Sequence, residues 1–191
     1  MAIGHQIDIE VAGKRHRTLA DILPRRGPLK MLIVAKTPAP VSVAAGHYFQ
    51  GKQGQMFWNR LREYGLLAVP YGAQPDDSLL AHGYGLTDIV KVPRACGSEP
   101  SDEEYREGLP RILDLIESLR PRVVMFVYKR VLDNVLKFGF GHSRKSKYGF
   151  NPELDSRFDS RVFVFPMPGT PCTSAKAVSA MSALAKLLRT P

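Results

Sequence analysis

Met31-Leu32-Ile33-Val34-Ala35, followed at once by Lys36-Thr37-Pro38-Ala39-Pro40, is the stretch whose reading decides the fold. Five consecutive apolar residues without alternation are the pattern of a strand buried on both faces, as in a parallel sheet covered by helices. The prolines behind it stop the strand and set a stiff loop at its carboxyl end. Working outward, Leu86–Val92, Arg122–Tyr128 and Val162–Phe165 read as further buried strands, and Gln6–Val11 alternates like an edge strand before a turn at Ala12-Gly13-Lys14. Helices are expected over Leu19–Leu23, Gln55–Gly65, Val131–Phe138 and Ala175–Leu188. Another opens at Ser101, where Glu104 completes a capping box and Leu109, Ile112, Leu113, Ile116 and Leu119 form the buried stripe; Pro110 is expected to kink it or mark its start. Strands alternating with helices imply crossover connections. The expected fold is a three-layer α/β/α sandwich with a central, mainly parallel sheet of about four strands. It is read as one domain over residues 1–191, with an N-terminal extension (1–18) and a basic, aromatic insertion (139–160).

The chain has 191 residues, 44% of them hydrophobic, and 27 Lys and Arg against 18 Asp and Glu give a net charge of +9. The hydrophobic share excludes general disorder, and the charge balance suits a polyanionic partner. No run reaches the ~20 apolar residues of a membrane span, and no signal-peptide layout is present. Cys96 and Cys172 make no CxxC pair. His5, His16, His47, His82 and His142 are scattered, so neither a metal site nor any other cofactor is expected. The reading is a cytoplasmic, nucleoid-associated monomer without membrane contact or an obligate protein partner.

Ligands of open α/β sheets bind where loops converge at the strands' carboxyl ends. Three loops qualify: Lys36–Phe49, Lys91–Ser98 and Met167–Ser174. Gly83-Tyr84-Gly85 lacks the third glycine of a dinucleotide fingerprint, and there is no Walker loop and no GxSxG elbow. What does appear is Thr37-Pro38-Ala39-Pro40-Val41-Ser42-Val43-Ala44-Ala45-Gly46-His47-Tyr48-Phe49, then Phe57-Trp58, then Gly85-Leu86-Thr87-Asp88-Ile89-Val90, and finally Phe165-Pro166-Met167-Pro168-Gly169. In this order the segments resemble the motifs of the uracil-DNA glycosylase superfamily, nearest its mismatch-specific uracil/thymine branch, from about Leu19 to Leu188. Two positions depart from the family pattern. Thr37 stands where the family has a water-positioning Asn, and Met167 where it has Asn or His.

The resemblance implies hydrolysis of the N-glycosidic bond of uracil in single- or double-stranded DNA, as in base excision repair. The base would be flipped into a pocket, with Phe49 as stacking platform and Lys36, Pro38 and Met167 around it. Amides of the Lys36–Phe49 loop would donate to the uracil carbonyls. The oxocarbenium-like transition state needs donors at the leaving base, a held water and negative charge near the sugar. Asp88, a carboxylate at the end of a buried strand, is the candidate for the displaced chemistry, against a capping role. Thr37 is a candidate for positioning water, and His47 or His142 for donating to the leaving group. In the insertion, His142, Arg144, Lys145 and Lys147 interleave with Phe140, Tyr148 and Phe150, a mixture suited to phosphates and unpaired bases. Gly169, Thr170 and Ser174 fall in the second DNA-facing loop. Two other readings remain open at this point: a non-catalytic DNA-binding module, and an α/β enzyme acting on a small nucleotide or nucleoside.

Overall fold

The apolar run forms β3 (Met31–Ala35), buried along its whole length at the heart of a five-stranded sheet. The computed structural model describes residues 2–25, 27–95, 98–143 and 145–190, so the expectation placed on Arg144 lies outside the described residues. The sheet order is β4 (Tyr84–Asp88), β3, β5 (Val123–Phe126), β7 (Arg161–Val164) and β6 (Gly149–Phe150). The first four run parallel, and β6 pairs antiparallel to β7, adding an edge strand to the four expected. A separate hairpin of β1 (Gln6–Val11) and β2 (Lys14–Leu19) turns at Ala12 and Gly13, both at positive φ as a tight two-residue turn requires.

Side chains alternate across the strands and so define two cores. Met31, Ile33, Leu86, Met125 and Phe163 pack under α2 (Lys52–Glu63) and α6 (Ser174–Arg189). Leu32, Val34, Val124, Phe126 and Val162 pack under α3 (Asp102–Leu119), α4 (Lys129–Phe140) and the short α5 (Asp155–Phe158). This is the three-layer sandwich. A short α1 (Pro40–Ala45) follows β3. The chain leaves β3 for β4 on one side and returns to β5 on the other, so the carboxyl end of β3 is a topological switch point.

Three local expectations are corrected. Leu19–Leu23 is not a helix: Leu19 ends β2, and Ile22 exchanges both backbone hydrogen bonds with Leu86 at 2.8 and 2.9 Å, covering the free edge of β4. Pro110 does not start α3 but sits inside it, the helix running continuously from its Ser101 capping box to Leu119. The 139–160 segment is less irregular than its composition suggests, holding the end of α4, β6 and α5. Its rings are structural anchors. Phe140 packs edge-on against Phe158 and Phe150 against Phe163, while Tyr148 leans on the second core, so each half-buried ring has one side committed to packing. No helix among the described residues is long and apolar enough to cross a membrane.

One close approach sets α3 against the sheet. A Cβ on Gly108 would meet the Ile89 carbonyl oxygen at 2.0 Å, so only glycine lets the helix backbone lie on the end of β4. Gly108→Ala should therefore lower stability by about 1–3 kcal/mol despite the better helix propensity of alanine, read as a lower urea midpoint at unchanged m-value.

Candidate active site

Loops at the carboxyl ends of four parallel strands enclose a cavity of about 780 Å³. Lys36, Thr37 and Pro38 leave β3, Asp88 ends β4, Tyr128 follows β5, and Pro168 and Gly169 follow β7. Phe49 closes one side, its ring 4.6 Å from that of Phe57 and edge-on to Trp58 at 5.4 Å. Its φ of +58° is costly for a bulky residue, and such strain persists only where the surroundings enforce it. Here they do: α2 approaches so closely that a Cβ on Gly54 would lie 2.4 Å from the Phe49 carbonyl oxygen.

Asp88 occupies a position where alternation calls for a core side chain, in register with Ala35 and on the same face as Tyr84 and Leu86. It is fully buried. A knot of charge behind it makes this tolerable. Lys91 Nζ donates to Asp21 Oδ1 at 2.8 Å and to the Tyr48 hydroxyl at 3.2 Å, and stands 4.0 Å from Asp88 Oδ2. Arg111 donates to Asp21 Oδ2 at 2.7 Å, to Thr87 Oγ1 at 2.9 Å and to the Asp88 carbonyl. Two cations thus meet two carboxylates, but Asp88 Oδ2 itself accepts no hydrogen bond from the described residues. Burial is the largest influence on this carboxyl and raises its pKa; Asp21 adds to the rise, while Lys91, Tyr48 and Arg111 oppose it. The outcome is a group pushed up to about 6.

Only one other buried side-chain atom among the described residues lacks a partner, Arg94 Nε, and Arg94 also lines the cavity. Its terminal nitrogen grips Glu104 at the start of α3. Sequence reasoning stopped at the Lys91–Ser98 loop without singling out this residue. The available signal was an arginine in a proline-bearing loop at a strand's carboxyl end. An unpaired acceptor and an unpaired donor, both shut off from solvent, thus belong to two residues that line one cavity.

The remaining candidates divide. Thr37 lines the cavity, but its hydroxyl proton goes to the Val92 carbonyl at 2.5 Å, leaving only lone pairs to offer a water. Lys36 lines it too, its ammonium held by Glu99 at 3.0 Å and the Ser98 carbonyl at 3.2 Å. The amides of Ser42, Val43, Gly46, His47, Tyr48 and Gln50 are taken up by protein acceptors, so fewer loop donors remain than the sequence suggests.

His47 is not among the cavity-lining residues. Its ring turns to Asp76 at 3.0 Å, which removes it from the reacting centre. Met167 is likewise buried in the first core, where an apolar thioether packs best, and Pro168 and Gly169 take its place on the wall. His142 lies beyond the carboxyl end of α4, its amide closing that helix on Leu136, and does not line the cavity. Lys145 and Lys147 are exposed just before Gly149, which pairs with Val164 and so puts their loop at the same sheet edge as the cavity. Gly169 and Ser174 are exposed, while the Thr170 hydroxyl donates to the Met167 carbonyl at 2.6 Å.

Comparison with known proteins agrees with this fold. The family model described as the uracil DNA glycosylase superfamily matches residues 24–177. The G/U mismatch-specific uracil DNA glycosylase of Schizosaccharomyces pombe is 26% identical over 136 residues, which is 70% of this chain and 42% of that relative. The chain thus spans less than half the length of the relative it matches.

The raised pKa of Asp88 has a consequence for stability. Because the folded pKa of about 6 exceeds the ordinary carboxylate value of about 3.9, the protonated form favours folding, and that contribution is lost as pH rises through 6. The ionised group costs on the order of 3 kcal/mol at neutral pH. Asp88→Asn should therefore melt higher than the wild type at pH 7.5, with the difference shrinking toward pH 4, as measured by thermal denaturation across that range.

Proposed function

The chain belongs to the uracil-DNA glycosylase superfamily, and from that premise we propose that it hydrolyses the N-glycosidic bond of uracil in DNA, with the chemistry carried by Asp88. The observation that supports this most is the Asp88 carboxylate, buried in the cavity wall with one oxygen unbonded, in the same cavity as a strained Phe49. The target nucleotide leaves the DNA stack and its base lies against Phe49, whose ring is fixed by Phe57 and Trp58 behind it.

As the glycosidic bond lengthens, positive charge grows on the sugar and negative charge on the departing uracil. An ionised Asp88 stabilises the first and takes a hydrogen from the attacking water. Thr37 Oγ1 has given its own proton away and so accepts the water's other hydrogen, which leaves a water lone pair for the anomeric carbon. Arg94 Nε, with the amides of Thr37, Ala39 and Phe49 that have no protein acceptor among the described residues, supplies donors for the leaving anion. The loss of the family's usual side chains at Thr37 and Met167 is answered by moving the work to a strand end. Lys145, Lys147 and the Gly169–Ser174 loop flank the sheet edge and meet the DNA backbone, which makes binding fall steeply with salt.

The test is alkaline cleavage of a labelled single-uracil oligonucleotide, single-stranded and in U·G and U·A duplexes. Wild-type protein should cleave, and Asp88→Asn should lose about 10²- to 10⁴-fold in single-turnover rate while keeping salt-sensitive binding. The wild-type rate should drop roughly tenfold per unit as pH falls below about 6, because the carboxylate must be ionised. Equal cleavage by Asp88→Asn would remove that residue from the mechanism. Absence of wild-type cleavage on all three substrates would refute the uracil reading. Phe49→Ala should cost roughly tenfold or more in kcat/KM through lost stacking, while Phe49→Tyr should retain most of it.

A further inference from the structure

Two of the histidines that look scattered in sequence come together away from the cavity. His5 opens the N-terminal hairpin, His47 follows α1, and Asp76 and Asp77 begin a single 3-10 turn over Asp76–Ser78. One ligand atom from each of the four lies within 4.8 Å of the other three. His47 Nδ1 is 3.0 Å from Asp76 Oδ1, and His5 Nε2 is 2.8 Å from Asp77 Oδ1 and 3.8 Å from Asp76 Oδ2. The two imidazoles meet edge to face with centroids 5.6 Å apart.

Charge and geometry both ask for a cation here. With neutral imidazoles the two carboxylates leave a net charge of −2, and Asp76 has no solvent exposure. Among the described residues no lysine or arginine lies within 4.0 Å of either, although the chain as a whole carries +9. A buried charge of this kind is costly without a counterion. Asp76 is also held in place by backbone amides, that of Tyr48 from outside the cluster at 2.7 Å on Oδ2 and that of Asp77 at 3.2 Å on Oδ1. Such outer hydrogen bonds are what orient metal-bound carboxylates.

We infer that His5, His47, Asp76 and Asp77 form a structural binding site for a divalent transition ion, with zinc as the best fit. Two imidazole nitrogens and two carboxylate oxygens are a zinc donor set, whereas calcium and magnesium prefer oxygen alone. Metal–ligand bonds of about 2.0–2.1 Å put tetrahedral ligand atoms about 3.3 Å apart, so the cluster closes on the ion through small rotations of the partly exposed His5 and Asp77. All four positions are filled by protein, which leaves no open coordination site and makes the ion structural.

The site joins three separate segments, two of which already touch through their backbones. The His5 amide donates to the Gly46 carbonyl at 2.8 Å, and a Cβ on Gly46 would lie 2.2 Å from the Ile3 carbonyl oxygen. His47 is two residues from Phe49, so the ion would fasten the hairpin to the loop that carries the cavity's aromatic wall. His5 lies outside residues 24–177, which places half of the histidine pair beyond the part matched by the family model.

The test uses the whole chain, free of any affinity tag, stripped with a chelator and returned to a non-coordinating buffer at pH 8, where ordinary histidines are neutral. Zinc chloride is titrated by calorimetry, and cobalt chloride in parallel is read by visible absorption. One zinc should bind per chain at micromolar affinity or tighter, raise Tm by about 4 °C or more at saturation, and be mirrored by the intense bands of tetrahedral cobalt. His5→Gln and Asp77→Asn sit at partly exposed positions and should fold; each should weaken zinc binding roughly tenfold or more and abolish the tetrahedral cobalt spectrum. His16→Gln, on β2 and outside the cluster, should leave binding unchanged. Absence of stoichiometric zinc uptake, or uptake that His5→Gln and Asp77→Asn leave intact, would overturn the assignment. Because the readout is binding, its outcome is independent of glycosylase activity.

Discussion

The structure around the cavity depends on one half-buried ionic knot. Asp21, Lys91 and Arg111 come from the β2–β3 connection, the loop after β4 and the middle of α3, and they meet at Thr87 and Asp88. Each side chain alone would be expensive to desolvate, and with the Asp88 carboxylate counted the two cations balance two anions. The knot has two structural effects. It ties α3 to the end of β4, and it holds the extended Ala20–Leu23 segment along that strand's free edge through the Ile22 bridge. It also allows one carboxylate, Asp88, to stay incompletely paired. With cations on its far side, that carboxylate remains ionisable at neutral pH.

The family positions of Thr37 and Met167 stand on loops, where side chains are held less firmly than on strands. A carboxylate on the last residue of a β-strand is fixed by sheet hydrogen bonds on its backbone and by packing around its side chain. In the proposed mechanism, placing the polar function on a strand rather than a loop therefore gains positional precision. The cost is borne in stability, because ionised Asp88 opposes folding across the pH range in which it is useful. Active-site residues that weaken the fold they stand on are an expected form of trade-off between stability and activity.

How much of this is legible in the sequence follows from the range of the interactions involved. The Met31–Ala35 run, the capping box at Ser101 and the alternation of strands with helices are local patterns, and each is found where expected. Phe49, Lys36, Thr37, Pro38 and Asp88 meet at one cavity because a parallel sheet brings loops after different strands to one edge. Features that depend on tertiary partners are not legible. Asp21 looks like part of a short helix until Leu86 claims Ile22. Nothing local reveals that Phe140 and Phe150 anchor their segment by packing edge-on against Phe158 and Phe163. Arg94 becomes notable only once its Nε is seen to lack an acceptor. His5 and His47, 42 residues apart, read as unrelated because nothing local reveals that the hairpin folds back onto Gly46.

That fold-back bears on Phe49 as well. A left-handed φ at a phenylalanine costs on the order of 1–3 kcal/mol, and the surrounding contacts must supply it. On one side the constraint is α2, brought close at Gly54. On the other it is the Asp76 carboxylate, which accepts from the Tyr48 amide immediately before Phe49 and pairs with His47 before that. Tyr48 in turn donates its hydroxyl to Ala20 and accepts from Lys91, which joins this cluster to the ionic knot. Phe49 is therefore held between two polar clusters, one carrying Asp88 and the other the histidine–aspartate pairs. A change in either cluster acts on the ring through Tyr48, a buried side chain that touches no substrate in the proposed mechanism.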